Sequence, residues 1–260
     1  GEAVICSKYG FIYYPIVEKV SGAKVVTAKS KDYSISCKNI LASISKKTKI
    51  IFIANPNNPT GTIIMKNELV SFLKKVPQNI LVVVDGAYAE YVTDLRFSDG
   101  LNLTNQFPNL IITRTFSKIF ALAGLRLGWA YSSEKIIETL EKIRGPFNVN
   151  IVAQTIGSLM LKEDNFLKKS IRHNMVWKKK LSAFVNSLGL ETYETYANFV
   201  LIRIDKAKFK KKTLIKKLTE KDIIIRDLDN YDLPEFIRVS VGNSLEMKKF
   251  MKTIKSIILK

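Results

Sequence analysis

Seven side chains stand out by type and place: Asn58, Asp85, Tyr88, Thr115, Ser117, Lys118 and Arg126. All but Arg126 follow closely on an apolar run of the kind that forms a buried strand. "NPNNPTG" (55–61) follows the run at 50–54, "DGAY" (85–88) the run at 81–84, and "RTFSK" (114–118) the run at 110–113; Arg126 comes one short excursion later. The set comprises an amine, an isolated carboxylate, amide and phenol donors, hydroxyls and a guanidinium. Lys118 differs from the chain's many other lysines in its company, because the packed stretch "IFALAGLRLGW" follows it directly.

Taken singly, each piece has a plain structural reading. "NPNNPTG" is made of turn formers, Asp85 could cap a helix, Tyr88 could pack, and a lysine usually faces water. Their joint occurrence at successive strand ends points to one ligand. A lysine amine forms an imine with an aldehyde. An aspartate keeps a pyridine nitrogen protonated, so that the ring accepts electrons. Hydroxyls, helix N-terminal N–H groups and an arginine hold a phosphate. Pyridoxal phosphate requires all of these together.

The elements that must position these groups are legible as an α/β rhythm. Apolar runs at 23–26, 50–54, 81–84, 110–113 and 127–131 are continuous rather than alternating, which predicts strands buried on both faces of a mainly parallel sheet. A helix is expected at 66–76 and another at 133–143, broken by Gly145 and Pro146. "GEAVIC" at the start reads as the edge of a further strand. One long helical region, 151–187, leads to strand 198–204, helix 211–219, strand 222–226, strand 236–241 and helix 244–258. The expected organisation is a large α/β domain over 1–150 and a linking helix with a smaller α+β domain over 151–260.

Composition narrows the field. With 260 residues, 47% hydrophobic and 25% charged, the chain has the make-up of a globular protein with a large core. Its single histidine, His173, lies in a Lys-rich amphipathic stretch and argues against histidine-based nucleophilic catalysis. No metal site is expected, because Cys6 and Cys37 have no ligand spacing. The net charge of +19 raises nucleic acid as a partner, but the excess is scattered lysine rather than arginine, so a solvated surface is expected instead. No apolar run is long enough to span a bilayer, and a reducing cytoplasm is the expected compartment.

"NPNNPTG", "VVVDGAYAEY" and "TRTFSKIFALAGLRLGW" resemble segments of the fold-type I, pyridoxal-phosphate-dependent aminotransferases of class I and II. Within them the likeness is to the histidinol-phosphate branch, and it runs from "SKYGFIYYP" to "IIIRDLDNYDLPEFIRVSVGNSLEM". The resemblance implies that Lys118 is the Schiff-base lysine and the base that moves the substrate α-proton. It implies that Asp85 pairs with the pyridine nitrogen, that Asn58 and Tyr88 bond the ring hydroxyl, and that Thr115, Ser117 and Arg126 hold the phosphate. Tyr9 matches the residue that stacks on the ring. Arg238 matches the arginine for the substrate's anionic end, and Arg226 one that helps bind histidinol phosphate or glutamate. A ping-pong exchange with 2-oxoglutarate and a homodimer are implied as well.

Other amino-acid transamination, aromatic included, decarboxylation of a phosphorylated amino acid, and an inactive fragment are the alternatives. The resemblance also implies a segment before "GEAVI", bearing a Gly-rich phosphate loop and a tyrosine that reaches the partner's site, whose absence would leave apolar surface exposed. Many relatives carry Glu where this chain has Gly86.

Overall fold

A computed structural model describes residues 1–205 and 210–259. Six strands form the first sheet: β1 Ala3–Ser7, β2 Lys24–Ala28, β3 Thr48–Ala54, β4 Leu81–Asp85, β5 Leu110–Thr115 and β6 Gly128–Tyr131. Their order is β2-β1-β3-β4-β5-β6. The first five are mutually parallel and β6 is antiparallel to β5. One face carries Ile5, Ile51, Ile53, Val82, Val84, Leu110 and Ile112. Helices α1 Tyr13–Val20, α2 Cys37–Ala42 and α3 Lys66–Leu73 lie between the strands. Ile40, Leu69, Phe72 and Leu73 from α2 and α3 close over the sheet. Each fully buried side chain of this size contributes roughly 1.5–3 kcal/mol, so this layer dominates the stability of the region.

Three helices follow β6: α4 Glu134–Ile143, α5 Ile151–Met160 and α6 Asp164–Ser187. The second sheet is made of β7 Glu191–Thr192, β8 Phe199–Arg203, β9 Arg226–Asp227 and β10 Phe236–Ser240, in the order β7-β8-β10-β9. Its core joins Val200, Ile202, Ile237 and Val239 to Trp177 and Leu181 of α6, to Leu214 and Leu218 of α7 (Lys211–Thr219), and to Met247, Phe250 and Ile254 of α8 (Ser244–Ile258). A capping box starts α8: Asn243 accepts from the Glu246 N–H and Glu246 returns a bond to the Asn243 N–H.

Three expectations need correction. The run at 127–131 is an antiparallel strand and every residue of β6 is exposed, whereas a parallel strand buried on both faces was expected. Its apolar character therefore reflects a face without cover in the chain, and Trp129, Tyr131, Ile143, Phe147 and Ile151 are exposed beside it. "GEAVIC" does open a strand, as expected: β1 is fully buried and lies second in the sheet. The helical stretch 151–187 is two helices, separated at 161–163. The strand expected at 222–226 pairs only at Arg226 and Asp227.

Two buried charges bear on stability. Glu18 of α1 is buried, and neither carboxylate oxygen finds a hydrogen-bond partner among the described residues. Burial pushes its carboxyl up to about 7. The folded value lies above the unfolded one, so Glu18 costs nothing below about pH 4, and stability falls as pH rises from there toward 7. Glu18→Gln is expected to gain on the wild type by about 1–2 kcal/mol on moving from pH 4 to pH 8. Urea unfolding at the two values checks this, and an unchanged difference would refute it.

Arg114 of β5 is buried and pairs with Glu90 at 3.3 Å and Asp99 at 3.1 Å. Its guanidinium occupies the space beside Gly86: a Cβ there would stand 1.6 Å from Nη1 and 2.8 Å from Cζ. Gly86→Ala must expel the guanidinium from both carboxylates, so it is expected to cost about 2–3 kcal/mol in chemical denaturation. Unaltered stability would mean that Arg114 can swing away freely.

Candidate active site

Because β1, β3, β4 and β5 run parallel, their carboxyl ends share one edge of the sheet, where ligands bind in open α/β folds. Ala54 pairs with Asp85 and Asp85 with Thr113, which sets the loops after β3, β4 and β5 side by side. Asn58, Asp85, Tyr88 and Lys118 line one cavity there.

Local chemistry shapes each loop. Asn55 uses its side chain as a β-like partner, accepting from Ile64 N at 2.8 Å and donating to Ile64 O at 3.2 Å. Asn57 Nδ2 donates to the Tyr9 carbonyl at 2.9 Å and to Thr60 Oγ1 at 2.8 Å. Gly61 has φ +76° and a Cβ there would meet Thr195 Oγ1 at 2.1 Å, so the loop requires glycine on two counts. Asp85 is held at both oxygens: Tyr14 donates to Oδ2 at 2.7 Å and Ala87 N–H to Oδ1 at 3.0 Å.

The Lys118 Nζ lies 5.4 Å from the centre of the Tyr88 ring. Desolvation holds its amine below the usual lysine range, and the Arg238 and Arg126 charges add to this against the opposing pull of Asp85. A neutral amine is thus more accessible, as a nucleophile or base requires. Tyr88 packs edge-on to Phe199 at 5.4 Å. Burial pushes its phenol up to about 12, which keeps it a donor.

Thr115 ends β5, and Ser117 and Arg126 lie on the segment that leads from it to β6. Thr115 Oγ1 accepts from Ser117 N–H at 3.0 Å. Arg126 adopts the left-handed conformation at φ +56° and donates to the Ala123 carbonyl at 2.8 Å, with its side chain exposed. Arg238 reaches across from β10, donating through Nη1 to Asn58 Oδ1 and lying 4.8 Å over the Phe199 ring. Its Nε is buried without a partner among the described residues. Arg226 is directly opposite Arg238 in the β9–β10 register.

Tyr9 is the exception. It does not line the Lys118 cavity; it borders a neighbouring cleft with Ser7, Asn230 and Tyr231. Its backbone has φ +58°, and its ring packs at 5.7 Å on Tyr33. Phe11, two residues on, lines the cavity in its place. "YGF" carries two aromatics, and only the turn decides which one faces inward. Tyr14 was likewise missed, since its link to Asp85 spans 71 positions.

The aminotransferase class I and II family profile matches residues 1–254. The chain is 40% identical over 257 residues to histidinol-phosphate aminotransferase of Pelagibacter ubique, covering 98% of this chain and 71% of that one. It is 39% identical to the enzyme of the same name from Maricaulis maris, covering 98% and 70%. The chain is a class I and II aminotransferase.

Solved structures agree on the fold. The histidinol-phosphate aminotransferase of Sinorhizobium meliloti, crystallised with pyridoxal-5'-phosphate, matches with a TM-score of 0.91 at 24% identity, covering 99% of this chain and 71% of that one. The Clostridium acetobutylicum enzyme matches at 0.92, also at 24%, covering 99% and 78%. The residues of this class I and II aminotransferase fit pyridoxal phosphate. An amine, an anchored carboxylate, an amide and a phenol share one cavity, and hydroxyls with an arginine follow in the adjoining segment. Among the described residues, no group of three or more His, Cys, Asp or Glu side chains could hold a metal ion.

Proposed function

We propose that the chain catalyses pyridoxal-phosphate-dependent transamination of histidinol phosphate with 2-oxoglutarate, in histidine biosynthesis. The observation that carries the substrate is the arginine pair. Arg226 and Arg238 stand opposite each other on adjacent strands, and like charges so placed repel unless an anion lies between them. They line one cleft of about 480 Å³. A phosphate monoester, with its double charge and several acceptor oxygens, satisfies both forks and the unpartnered Arg238 Nε better than a single carboxylate does.

The bound cofactor supplies an aldehyde carbon for the amines and a ring that accepts the electron pair left by the α-proton. The chain's residues do the rest. Lys118, freed as a neutral amine when the substrate's amine takes its place, would accept the α-proton at Nζ and deliver it to the cofactor's carbon rather than back to the α-carbon. Asp85, held by the Tyr14 hydroxyl and the Ala87 N–H, would pair with the ring nitrogen. Asn58 and Tyr88 would orient the ring through its hydroxyl, Thr115, Ser117 and Arg126 would retain the phosphate, and Phe11 would cover one face. Arg238 and Arg226 fix the anionic end, so that the α-hydrogen points at Lys118.

The test is turnover of histidinol phosphate against phenylalanine, with 2-oxoglutarate as acceptor. The expected result is a kcat/KM at least about 100-fold higher for histidinol phosphate. Equal or reversed preference would move the reading to an aromatic transaminase. A homodimer is part of the proposal, supported by the exposed apolar side chains along β6, α4 and α5; sedimentation as a monomer at micromolar concentration would count against it. No helix among the described residues is long and apolar enough to cross a membrane. The two buried free cysteines suit a cytoplasmic setting.

A further inference from the structure

We propose that Tyr14 is a positioning residue for the cofactor, acting through Asp85: its buried hydroxyl fixes the carboxylate against which the ring nitrogen is held. This rests on the cofactor reading above. The Tyr14 hydroxyl donates to Asp85 Oδ2 at 2.7 Å, the length of a charge-assisted O–H···O⁻ bond. The Ala87 N–H at 3.0 Å from Oδ1 is the second tether. Without Tyr14 the carboxylate would keep only this bond from its own turn and could rotate about its side-chain torsions.

The phenol is itself immobilised. Its ring is stacked on Phe52 of β3, centres 4.9 Å apart and planes at 17°. On the other side it meets the edge of Phe11 at 5.6 Å and 87°. Phe11 stands just before the Ile12 N-cap of α1 and Tyr14 lies in its first turn, so the entry of the chain into the helix brings the two rings together. One short segment thus delivers both an apolar wall of the cavity and the support beneath its carboxylate. Burial, with the Asp85 charge next, holds the Tyr14 phenol well above its ordinary range, so it remains a donor at every working pH. This is a different job from that of Tyr88, which lines the cavity directly.

Position rather than bulk is the claim, so the test separates the two. Pyridoxal phosphate affinity is measured by absorption titration for the wild type, Tyr14→Phe, Asp85→Asn, the double variant and Phe52→Leu, with melting temperatures for each. Tyr14→Phe keeps the ring and its stacking. It is expected to weaken affinity about fivefold to tenfold and to shift the visible band of the bound cofactor. In the Asp85→Asn background the same change is expected to have less than about a twofold effect, because the acceptor it acts through has changed. Phe52→Leu is expected to lower the melting temperature while leaving the band where it is.

An equal effect of Tyr14→Phe in both backgrounds would overturn the proposal, since a structural role does not depend on Asp85. So would wild-type affinity and an unshifted band in Tyr14→Phe. Absence of saturable binding by the wild type would instead refute the cofactor reading, and this inference with it.

Discussion

Lys118→Ala is expected to lower transamination by roughly 10⁴-fold or more, with no loss of thermal stability. The amine is asked to do two things that no neighbour can do for it. It must make and break the covalent link to an aldehyde, and it must carry a proton between carbon atoms. Asp85 is tied at both oxygens by Tyr14 and Ala87, the Tyr88 phenol is pushed up to about 12, and the two nearby guanidinium groups are permanently charged. None of them offers a neutral amine, which the covalent link to the aldehyde requires.

The fold should tolerate the change. Desolvation and the Arg238 and Arg126 charges already oppose a charge on this amine, so its removal relieves a cost rather than breaking a bond. Lys118→Arg should be as inactive as the alanine variant, because a guanidinium neither forms the imine nor gives up its proton. The check is a pair of measurements: turnover, and the visible band with added pyridoxal phosphate. A Lys118→Ala chain retaining more than about a hundredth of wild-type turnover would remove Lys118 from the chemistry.

Arg238→Ala is expected to cost about 10²- to 10³-fold in kcat/KM for histidinol phosphate, the range for losing a buried charge-assisted contact. The guanidinium is aimed before the substrate arrives: it lies on the Phe199 ring, is tethered to Asn58, and keeps a buried Nε without a partner among the described residues. Burial, first among the causes, disfavours its charge, and the Arg226 charge adds to this. A bound anion reverses both penalties. Arg238→Lys should recover only part of the loss, since one ammonium cannot supply the fork.

Arg226 is exposed, so its charge is screened and Arg226→Ala should cost only about tenfold, chiefly in KM for the phosphate substrate. The discriminating measurement is kcat/KM for both variants with histidinol phosphate and with glutamate. If Arg226→Ala weakened the two substrates alike, the phosphate would not be bound between the arginines.

Much of the site was legible because its parts are written next to strand ends. Continuous apolar runs announced a parallel sheet, and parallel strands necessarily bring their carboxyl-end loops to one edge. Asn58, Asp85, Tyr88 and Lys118 could therefore be grouped from local sequence alone. β6 was misjudged because apolar character reports only a preference for cover and says nothing about whether cover is present or which way the strand runs. Of the expected strand at 222–226 only Arg226 pairs, together with Asp227, because the chain is still turning at Asp222, which has φ +56°.

What the sequence determined by itself is the chemistry on offer: one amine in apolar company, one carboxylate, and the order in which they follow their strands. Only the tertiary structure decided which aromatic of "YGF" faces that amine, because the left-handed turn at Tyr9 sends one ring to Tyr33 and leaves Phe11 at the cavity. It also decided that Tyr14 supports Asp85, that Arg114 fills the space beside Gly86, and that Arg226 faces Arg238. These are contacts between residues far apart in the chain or set by one backbone angle. Local propensity and periodicity carry no record of either, since both describe a residue's neighbours along the chain and not those the fold gives it.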